Sequence, residues 1–470
     1  MRRKKLTALV LVSALALTTL GGCAKSEDAG TSKAPTTTTA AGAGTAAAET
    51  KKEADKGTEE KTVIRIWSKN RHDANYVQEK VDAYNSTNTD NIEVQYELFT
   101  DNYPQAVDIA MQNGDMPDLL MVQPAVFTKY LQSGQWADLN QFMDEDMKKM
   151  FADVMYEGSN LFVGKVYFIP TSGSTCRLFY NKEVFEKAGI TKVPATLEEL
   201  VETSKTITSK LSGEGIYGFA SNLKSVSSAL NRSFALGIAR ETGTWNGFDF
   251  QKGEYDFNCY ADALKLWKEL LSEGSAFPGC ESLDIDPLRT QFAAGKIGMY
   301  CSYTAAEPGV YANQFPLDYS KWDCAPIPTT GGKEVGRQNF EGTNGYLLNA
   351  KSENIEAAFK AYKDIFTSED YLKGYYEAAY GISIVPSIIE GSSPAGAYKD
   401  SKWLLLTDKD GILPLAPHDV NANAVLVEGQ DMYSTLGNIL LGDAPIEATL
   451  KDLTDRYNAA YKKGIADGTG

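Results

Sequence analysis

Aromatic and polar side chains recur where the apolar, strand-like runs of this sequence end. The set comprises Trp67, Ser68, Asn70, Arg71, Gln123, Ser172, Ser174, Arg177, Tyr303, Glu341 and Asn344. In open α/β sheets, ligands bind outside the carboxyl ends of the strands. A pyranose ring has a CH-rich face that stacks on aromatic rings, and its hydroxyl groups pair with charged or amide groups. The collective placement predicts a carbohydrate site, although each residue alone, such as Trp67, is better explained by packing in a core.

No catalytic or metal-binding motif accompanies this set. The two histidines, His72 and His418, lie far apart and outside any H-E-x-x-H spacing, so neither a metal nor a cofactor is predicted. Gly213, Gly215 and Gly218 match G-x-G-x-x-G, but they follow a predicted helix and precede a strand-like run, which reverses the order of a dinucleotide fold. We interpret them as a helix stop and turn. Acidic residues are frequent, yet no spacing singles out a pair for glycoside hydrolysis.

The elements that must position these side chains alternate between strands and helices. Thr62–Trp67 is β-branched and apolar, Ile92–Leu98 alternates, and Asp118–Val122 is a third strand-like run. Helical spacing of apolar residues fills the intervals. A capping box at Thr196–Glu199 opens a later helix. Strand–helix–strand order with short connections predicts an α/β fold with parallel pairing.

The N-terminal segment is predicted to export and tether the chain rather than to fold. Four cations within residues 2–5 precede the apolar run Leu6–Leu20, which is too short to span a bilayer of about 30 Å as a helix. Two glycines and Cys23 complete a pattern typical of a bacterial lipoprotein signal, so residues 1–22 should be removed and Cys23 lipidated. The alternative is an ordinary secretory signal with an incidental cysteine. Residues 23–61 lack large apolar side chains, so the lipidated cysteine should begin a disordered tether.

Charge and cysteine content narrow the function further. The chain carries 46 Lys and Arg against 62 Asp and Glu, a net charge of −16, and removal of residues 1–22 would leave 42 against 62. Such an anionic body argues against nucleic acid or anionic lipid as the ligand. The five cysteines besides Cys23 include no C-x-x-C pair, and their odd number precludes complete internal pairing. Buried single thiols are expected, with Cys259–Cys280 the most plausible single bridge.

Several ordered segments resemble bacterial extracellular solute-binding proteins of the sugar-binding type, the partners of ABC importers. The segments that carry the resemblance are Met116–Leu120, Leu131–Leu139, Gly164–Pro170, Leu178–Lys182, Pro194–Leu200, Phe292–Met299, Ala325–Pro328 and Gly381–Pro386. Phe292–Met299, for example, is similar to the F-x-x-G-K-x-A-M of that family. The resemblance covers essentially all of Thr62–Ala466.

The resemblance implies an α/β, two-lobe periplasmic-binding-protein-like fold, with hinge-linked lobes and a ligand cleft between them. The implied lobe 1 comprises residues 62–172 and 326–374, and the implied lobe 2 comprises residues 173–325 and 375–470. The chain is expected to cross between the lobes near residues 169–174, 325–330 and 372–380.

The same resemblance implies a function. A carbohydrate, expected to be an oligosaccharide, would bind in the cleft, and the closed lobes would deliver it to ABC permease subunits without chemistry on the ligand. The protein would be a monomer at the outer face of the cytoplasmic membrane, held there by its lipid alone. Three alternatives stay open: an anchored glycosidase or lyase, a binding protein for a non-sugar solute, and a sensor that presents its closed form to a receptor.

Overall fold

The strands form three four-stranded sheets and two short antiparallel pairs within the part of the chain that the computed structural model describes. That part is residues 61–466 except 132, 157–158, 273, 344, 395–396, 408–409, 413–421, 423–425 and 427–428. The strands are β1 (Thr62–Ser68), β2 (Ile92–Leu98), β3 (Leu119–Met121), β4 (Leu161–Phe162), β5 (Lys165–Val166), β6 (Ser172–Ser174), β7 (Cys176–Asn181), β8 (Tyr217–Phe219), β9 (Phe248–Asp249), β10 (Glu254–Tyr255), β11 (Ile297–Tyr303), β12 (Trp322–Ala325), β13 (Gln338–Thr343), β14 (Tyr346–Leu348), β15 (Ile382–Ser383) and β16 (Asp410–Ile412).

Helices cover the faces of these sheets. They are α1 (Ala74–Thr87), α2 (Tyr103–Asn113), α3 (Pro124–Leu131), α4 (Glu145–Met150), α5 (Lys182–Ala188), α6 (Leu197–Leu211), α7 (Val226–Arg232), α8 (Phe234–Thr242), α9 (Ala261–Ser272), α10 (Ile285–Ala293), α11 (Glu307–Asn313), α12 (Ile355–Phe366), α13 (Glu369–Glu377), α14 (Pro386–Gly391), α15 (Ala397–Asp400), α16 (Met432–Leu441) and α17 (Ile446–Ala466). No helix among the described residues is long and apolar enough to cross a bilayer.

The first lobe is built on the sheet β14-β3-β1-β2. Strand β1 pairs in parallel with both β2 and β3, which confirms the parallel pairing predicted from the strand–helix–strand order. Strand β14 joins β3 antiparallel from much later in the chain. Ile64 and Ile66 of β1 are fully buried in one hydrophobic cluster with Val77 and Val81 of α1. The β-branched run therefore forms a strand with covered faces, as its composition predicts.

The second lobe is built on the sheet β12-β7-β11-β8, which is mixed rather than parallel throughout. Strand β7 runs antiparallel to β11 and β12, whereas β8 is parallel to β11. The capping box begins α6 as predicted, because the Thr196 side chain accepts a hydrogen bond from the Glu199 backbone N–H. At the end of α6, Gly215 has a φ of +72° and turns the chain into β8, so the glycine-rich segment is the predicted helix stop.

A third sheet, β15-β6-β13-β16, connects the lobes. Strand β6 directly precedes β7 of the second lobe, and β13 directly precedes β14 of the first lobe. The two strands pair antiparallel, with Gly173 opposite Gly342. This arrangement of two sheets joined by paired connecting strands is the expected two-lobe α/β fold.

The second crossing between the lobes comes later than the expected residues 325–330. The Thr329 carbonyl accepts a hydrogen bond from Leu197 of α6, and the Gly336 N–H donates to the Arg240 carbonyl of α8, both in the second lobe. Ile327 is fully buried in the core of that lobe. The prolines at 326 and 328 follow the edge strand β12, where a missing N–H costs no ladder bond. The chain therefore crosses in β13 rather than at residue 326.

The cysteines outside the N-terminal segment form no disulfide in the described structure. Cys176, Cys280, Cys301 and Cys324 are buried and Cys259 is partly buried. These five cysteines are therefore free thiols, and the suggested Cys259–Cys280 bridge is absent from the described structure. The predicted signal peptide, Cys23 and the tether lie outside the described residues.

Candidate ligand-binding cleft

A cavity of about 380 Å³ lies between the two lobes. The first lobe contributes the loop after β1 and the segment after β3, and the second lobe contributes the end of β11 together with α7 and α10. Ser172, Ser174 and Gly342 of the connecting strands also line it. The walls come from both lobes, so a ligand held here would contact both.

Five of the eleven residues predicted from the sequence line this cavity. They are Asn70, Arg71, Ser172, Ser174 and Tyr303. All five lie in or just beyond strands that end at the cleft, as the rule for open α/β sheets requires.

Trp67 and Ser68, the last two residues of β1, do not line the cavity because both side chains are buried within the first lobe. The Trp67 ring is only 8% exposed and packs in the first lobe with its centroid 4.5 Å from that of Phe99. Ser68 is 1% exposed, and its hydroxyl accepts a hydrogen bond from the Asn70 backbone at 3.2 Å. Ser68 therefore shapes the loop that carries Asn70, while Trp67 is core.

Arg177 is a buried structural cation rather than a residue of the cavity wall. Its guanidinium is 2% exposed and donates two parallel hydrogen bonds to the Asp410 carboxylate, at 2.9 and 2.8 Å. Its Nε also donates to the Trp403 carbonyl at 2.9 Å. The sequence prediction placed this side chain in the cleft because it follows a strand-like run, but the β-strand period directs it towards the segment that leads into β16.

Of the remaining predicted residues, Gln123 and Glu341 are not among those that line the cavity. Gln123 is partly buried between Val122 and Pro124, which both line the cavity, but its own side chain does not. Glu341 lies in β13, where its backbone pairs with that of Ser174. Asn344 lies outside the described residues.

Several lining residues were missed by the sequence analysis. Arg232, Arg289, His72, Tyr375 and Tyr380 all line the cavity. Arg232 and Arg289 lie in helices whose approach to the cleft depends on tertiary packing, so no local pattern marks them. The tyrosine-rich segment at residues 371–380, in and just after α13, was the available signal for Tyr375 and Tyr380.

A chain of ion pairs joins the two lobes beside the cavity. The Arg71 Nη2 of the first lobe lies 2.7 Å from Oδ2 of Asp286 in α10 of the second lobe. The other carboxylate oxygen of Asp286 accepts from Arg289 Nη1 at 3.0 Å, and Arg289 Nη2 lies 2.7 Å from Glu307. Burial alone would raise the pKa of Glu307, but Arg289 and the Ser302 hydroxyl hold it below its usual value. Both carboxylates are therefore ionised partners of the arginines.

Arg232 stacks on Tyr303 at the wall of the second lobe. Its guanidinium carbon lies 4.4 Å from the centroid of the Tyr303 ring, within the range of a cation–π contact. Its Nε and Nη1 donate to the hydroxyls of Ser228 and Ser302 at 3.2 and 3.0 Å. The Ser302 hydroxyl in turn donates to Glu307. These contacts fix the guanidinium against the wall of the cleft.

Burial shifts the pKa values of two neighbouring groups of the first lobe, His72 in the cavity wall and Asp73 next to it in the chain. Burial, with the charges of Arg289 and Arg71, lowers the pKa of His72 to about 4. Burial raises the pKa of Asp73 to about 7, although the hydroxyl of Tyr375 donates to its Oδ2 at 2.9 Å and moderates the rise. Among the described residues, no cluster of three or more His, Cys, Asp or Glu side chains could hold a metal ion.

The sequence of the two lobes matches a known family. A model of the bacterial extracellular solute-binding proteins matches residues 68–371, which is more than half of the chain. The chain belongs to this family. The match begins at the loop that carries Asn70 and Arg71 and includes both connecting strands of the solute-binding protein.

Individual relatives are distant in sequence. Binding proteins of Brucella abortus and Brucella suis are 26% identical to this solute-binding protein over 261 residues, which is 54% of this chain and 60% of theirs. The match therefore spans less than two thirds of the length of these relatives.

Solved structures share the two-lobe fold over most of the chain. The GacH receptor of Streptomyces glaucescens, determined unliganded and with acarbose, is 19% identical with a TM-score of 0.69, over 86% of this chain and 99% of its own. An ABC transporter solute-binding protein of Thermotoga lettingae bound to α-D-tagatose is also 19% identical, with a TM-score of 0.70, over 85% and 100%. The RafE solute-binding protein, in complex with raffinose, has a TM-score of 0.65 at 18% identity, over 85% and 100%. At this identity the likeness establishes the fold.

The buried pair of Arg177 and Asp410 generates a prediction about stability. Arg177→Met leaves the Asp410 carboxylate buried without its partner, so the free energy of unfolding of the solute-binding protein should fall by about 3–5 kcal/mol. Arg177→Met combined with Asp410→Leu should recover most of this loss, because it removes both charges. Denaturant unfolding measures the effect. A stability unchanged in Arg177→Met would contradict the structural assignment.

The raised pKa of Asp73 generates a prediction about pH. Its folded pKa of about 7 exceeds the ordinary 3.8, so between these values the folded state holds a proton that the unfolded chain has lost. Stability from this group therefore falls as the pH rises towards 7 and is fully present below pH 4. Relative to Asp73→Asn, the wild type should lose about 3 kcal/mol of unfolding free energy between pH 5 and pH 8.

Denaturant titrations at several pH values measure this difference, with Asp82→Asn, an exposed aspartate of the same helix, as the control. A wild-type-minus-variant difference that stays constant across the range would show that Asp73 titrates normally.

Proposed function

We propose that this solute-binding protein captures a carbohydrate, an oligosaccharide in size, in the cavity between its lobes. The observation that carries the proposal is the composition of that cavity, where Tyr303, Tyr375 and Tyr380 stand beside Asn70 and polar residues of the connecting strands. Rings can stack on the CH faces of sugars, while serines and amides pair with hydroxyl groups. The volume of about 380 Å³ lies within the range of small-molecule sites.

The structural neighbours support a sugar as the ligand class. They include proteins determined with acarbose, raffinose and α-D-tagatose. Binding by two opposed walls favours a closed state, because a ligand in the cleft adds contacts to both lobes only when they approach. Such a closed state is a form that an ABC permease can distinguish from the empty protein, so we propose delivery to a permease rather than chemistry on the ligand.

We further propose that Cys23 carries a lipid, and that the protein works as a monomer at the outer face of the cytoplasmic membrane. The pattern of cations, short apolar run and cysteine supports this assignment. The tether would hold the two lobes at a distance from the membrane surface and would allow them to reach the permease.

The sugar prediction is tested by thermal unfolding and calorimetry against a broad panel of mono- and oligosaccharides. A ligand present at 100 times its dissociation constant adds about 2.7 kcal/mol of stability, so a true ligand should raise the melting temperature measurably. Tyr303→Leu should weaken binding by about 0.5–1.5 kcal/mol or more through loss of the ring contact. Tyr319→Leu, a half-buried tyrosine of the second lobe outside the cavity, is the matched control. Silence with every sugar, together with binding of another solute class, would overturn the proposal, and turnover of a glycan would favour an enzyme.

The anchor is tested by Cys23→Ser. The variant should appear in the medium or remain as unprocessed precursor, because the acceptor of the lipid is gone. Metabolic labelling with a radioactive fatty acid measures the modification. A labelled, membrane-bound Cys23→Ser protein would contradict the assignment.

A further inference from the structure

The cavity wall is positively charged although the whole chain is strongly anionic. The chain has a net charge of −16. The described residues that line the cavity nevertheless include Lys69, Arg71, Arg232 and Arg289 and no aspartate or glutamate. A concentration of cations in the cavity proposed to bind the ligand suggests that the charge has a use in recognition.

Two of these arginines are already neutralised by the protein. Arg71 pairs with Asp286 at 2.7 Å, and Arg289 pairs with Glu307 at 2.7 Å and with Asp286 at 3.0 Å. Two guanidinium groups thus share two carboxylates, and their charges balance. They add little net attraction for an anion in the cavity.

Arg232 differs because no carboxylate lies within ion-pair distance of it in the described structure. Both of its hydrogen bonds go to neutral hydroxyls, those of Ser228 and Ser302. Its Nη2 donates to no described acceptor. The contact with the Tyr303 ring holds the Arg232 guanidinium in place. Its Nη2 can therefore donate to a ligand without a large loss of side-chain entropy when the ligand binds.

Closure of the lobes on a neutral ligand would be unfavourable for such a group. A cation that loses water without gaining a counter-charge incurs a desolvation cost, whereas a carboxylate meets the planar guanidinium with charge-assisted hydrogen bonds. A phosphate monoester carries about −1.5 to −2 at neutral pH, which exceeds the one positive charge left when Arg71, Arg232 and Arg289 are set against the carboxylates of Asp286 and Glu307. A monoanionic ligand group therefore suits Arg232.

We propose that the ligand is an acidic oligosaccharide, that a uronate carboxylate pairs with Arg232, and that the sugar ring lies beside Tyr303. The proposal rests on the proposed function and names the substrate class of the same cavity. Arg232 requires one negative charge on a sugar ring. A uronate carboxylate or a sulfate ester could each supply that charge.

The test uses calorimetry with pairs of ligands that differ only in charge. Oligogalacturonates, oligomannuronates and glucuronic-acid-substituted xylo-oligosaccharides are each compared with their methyl esters, and sulfated oligosaccharides form a separate arm. We expect one uronate to bind at least tenfold more tightly than its ester. Arg232→Met should remove that preference, measured as the ratio of acid to ester affinity within the same variant, and Arg232→Lys should restore part of it. Arg456→Met, which removes a cation from α17 outside the cavity, should leave the preference intact.

The other possible results contradict different parts of the proposal. Equal binding of acid and ester, or tightest binding of a neutral sugar unaffected by Arg232→Met, overturns the acidic ligand and leaves sugar capture standing. Tight, Arg232-dependent binding of a sulfated sugar alone overturns the carboxylate. Failure of every acidic and neutral sugar overturns this inference together with the proposed function.

Discussion

The antiparallel pairing of β6 with β13 is the constraint on which the rest of the structure depends. These strands connect the two lobes, and Gly173 lies opposite Gly342 at their centre. Ser172 and Ser174 flank the first glycine, and they line the cavity together with Gly342. A Cβ at Gly342 would lie 2.9 Å from the Cβ of Pro170, so the connecting strand has no room for a larger residue there. The same pairing fixes which strand ends face each other.

The ion pairs across the cleft are the second feature that follows from this geometry. Arg71 reaches Asp286 only because the loop after β1 and the start of α10 lie on opposite sides of one cavity. From Asp286 the contacts continue through Arg289 and Glu307 to Ser302, which Arg232 also contacts. Buried ion pairs contribute little net stability, but they position the groups they contain. The Arg71–Asp286 pair, whose side chains are 47% and 33% exposed, adds only a weak contact between the lobes, whereas the buried Arg289–Glu307 pair fixes Ser302 and, through it, Arg232.

Much of the fold could be predicted from the sequence because its elements are locally marked. The β-branched run of β1 and the capping box of α6 gave the right elements. The strand-end rule found Asn70, Arg71 and Tyr303, since each lies at or just beyond the end of its strand. It failed for Trp67, because that residue is still inside β1 and its side chain is directed into the core.

The sequence could not predict side-chain positions that depend on packing between segments far apart in the chain. Arg177 looked like a ligand-binding cation, and only the position of Asp410 shows that it is internally paired. No local pattern in the sequence marks Arg232, yet the fold brings it against Tyr303. The resemblance implied a crossing between the lobes near residues 325–330, but Ile327 is buried in the core of the second lobe and the chain crosses later, in β13.

The central claim is that one ligand is held by both lobes at once, and amide hydrogen exchange with and without a sugar that binds tests it most directly. The account predicts slower exchange on both sides of the cavity, in the loop at residues 69–72, the connecting strand at residues 172–174 and the turn at residues 303–306. Protection confined to one lobe, or located away from these segments, would contradict capture between the lobes.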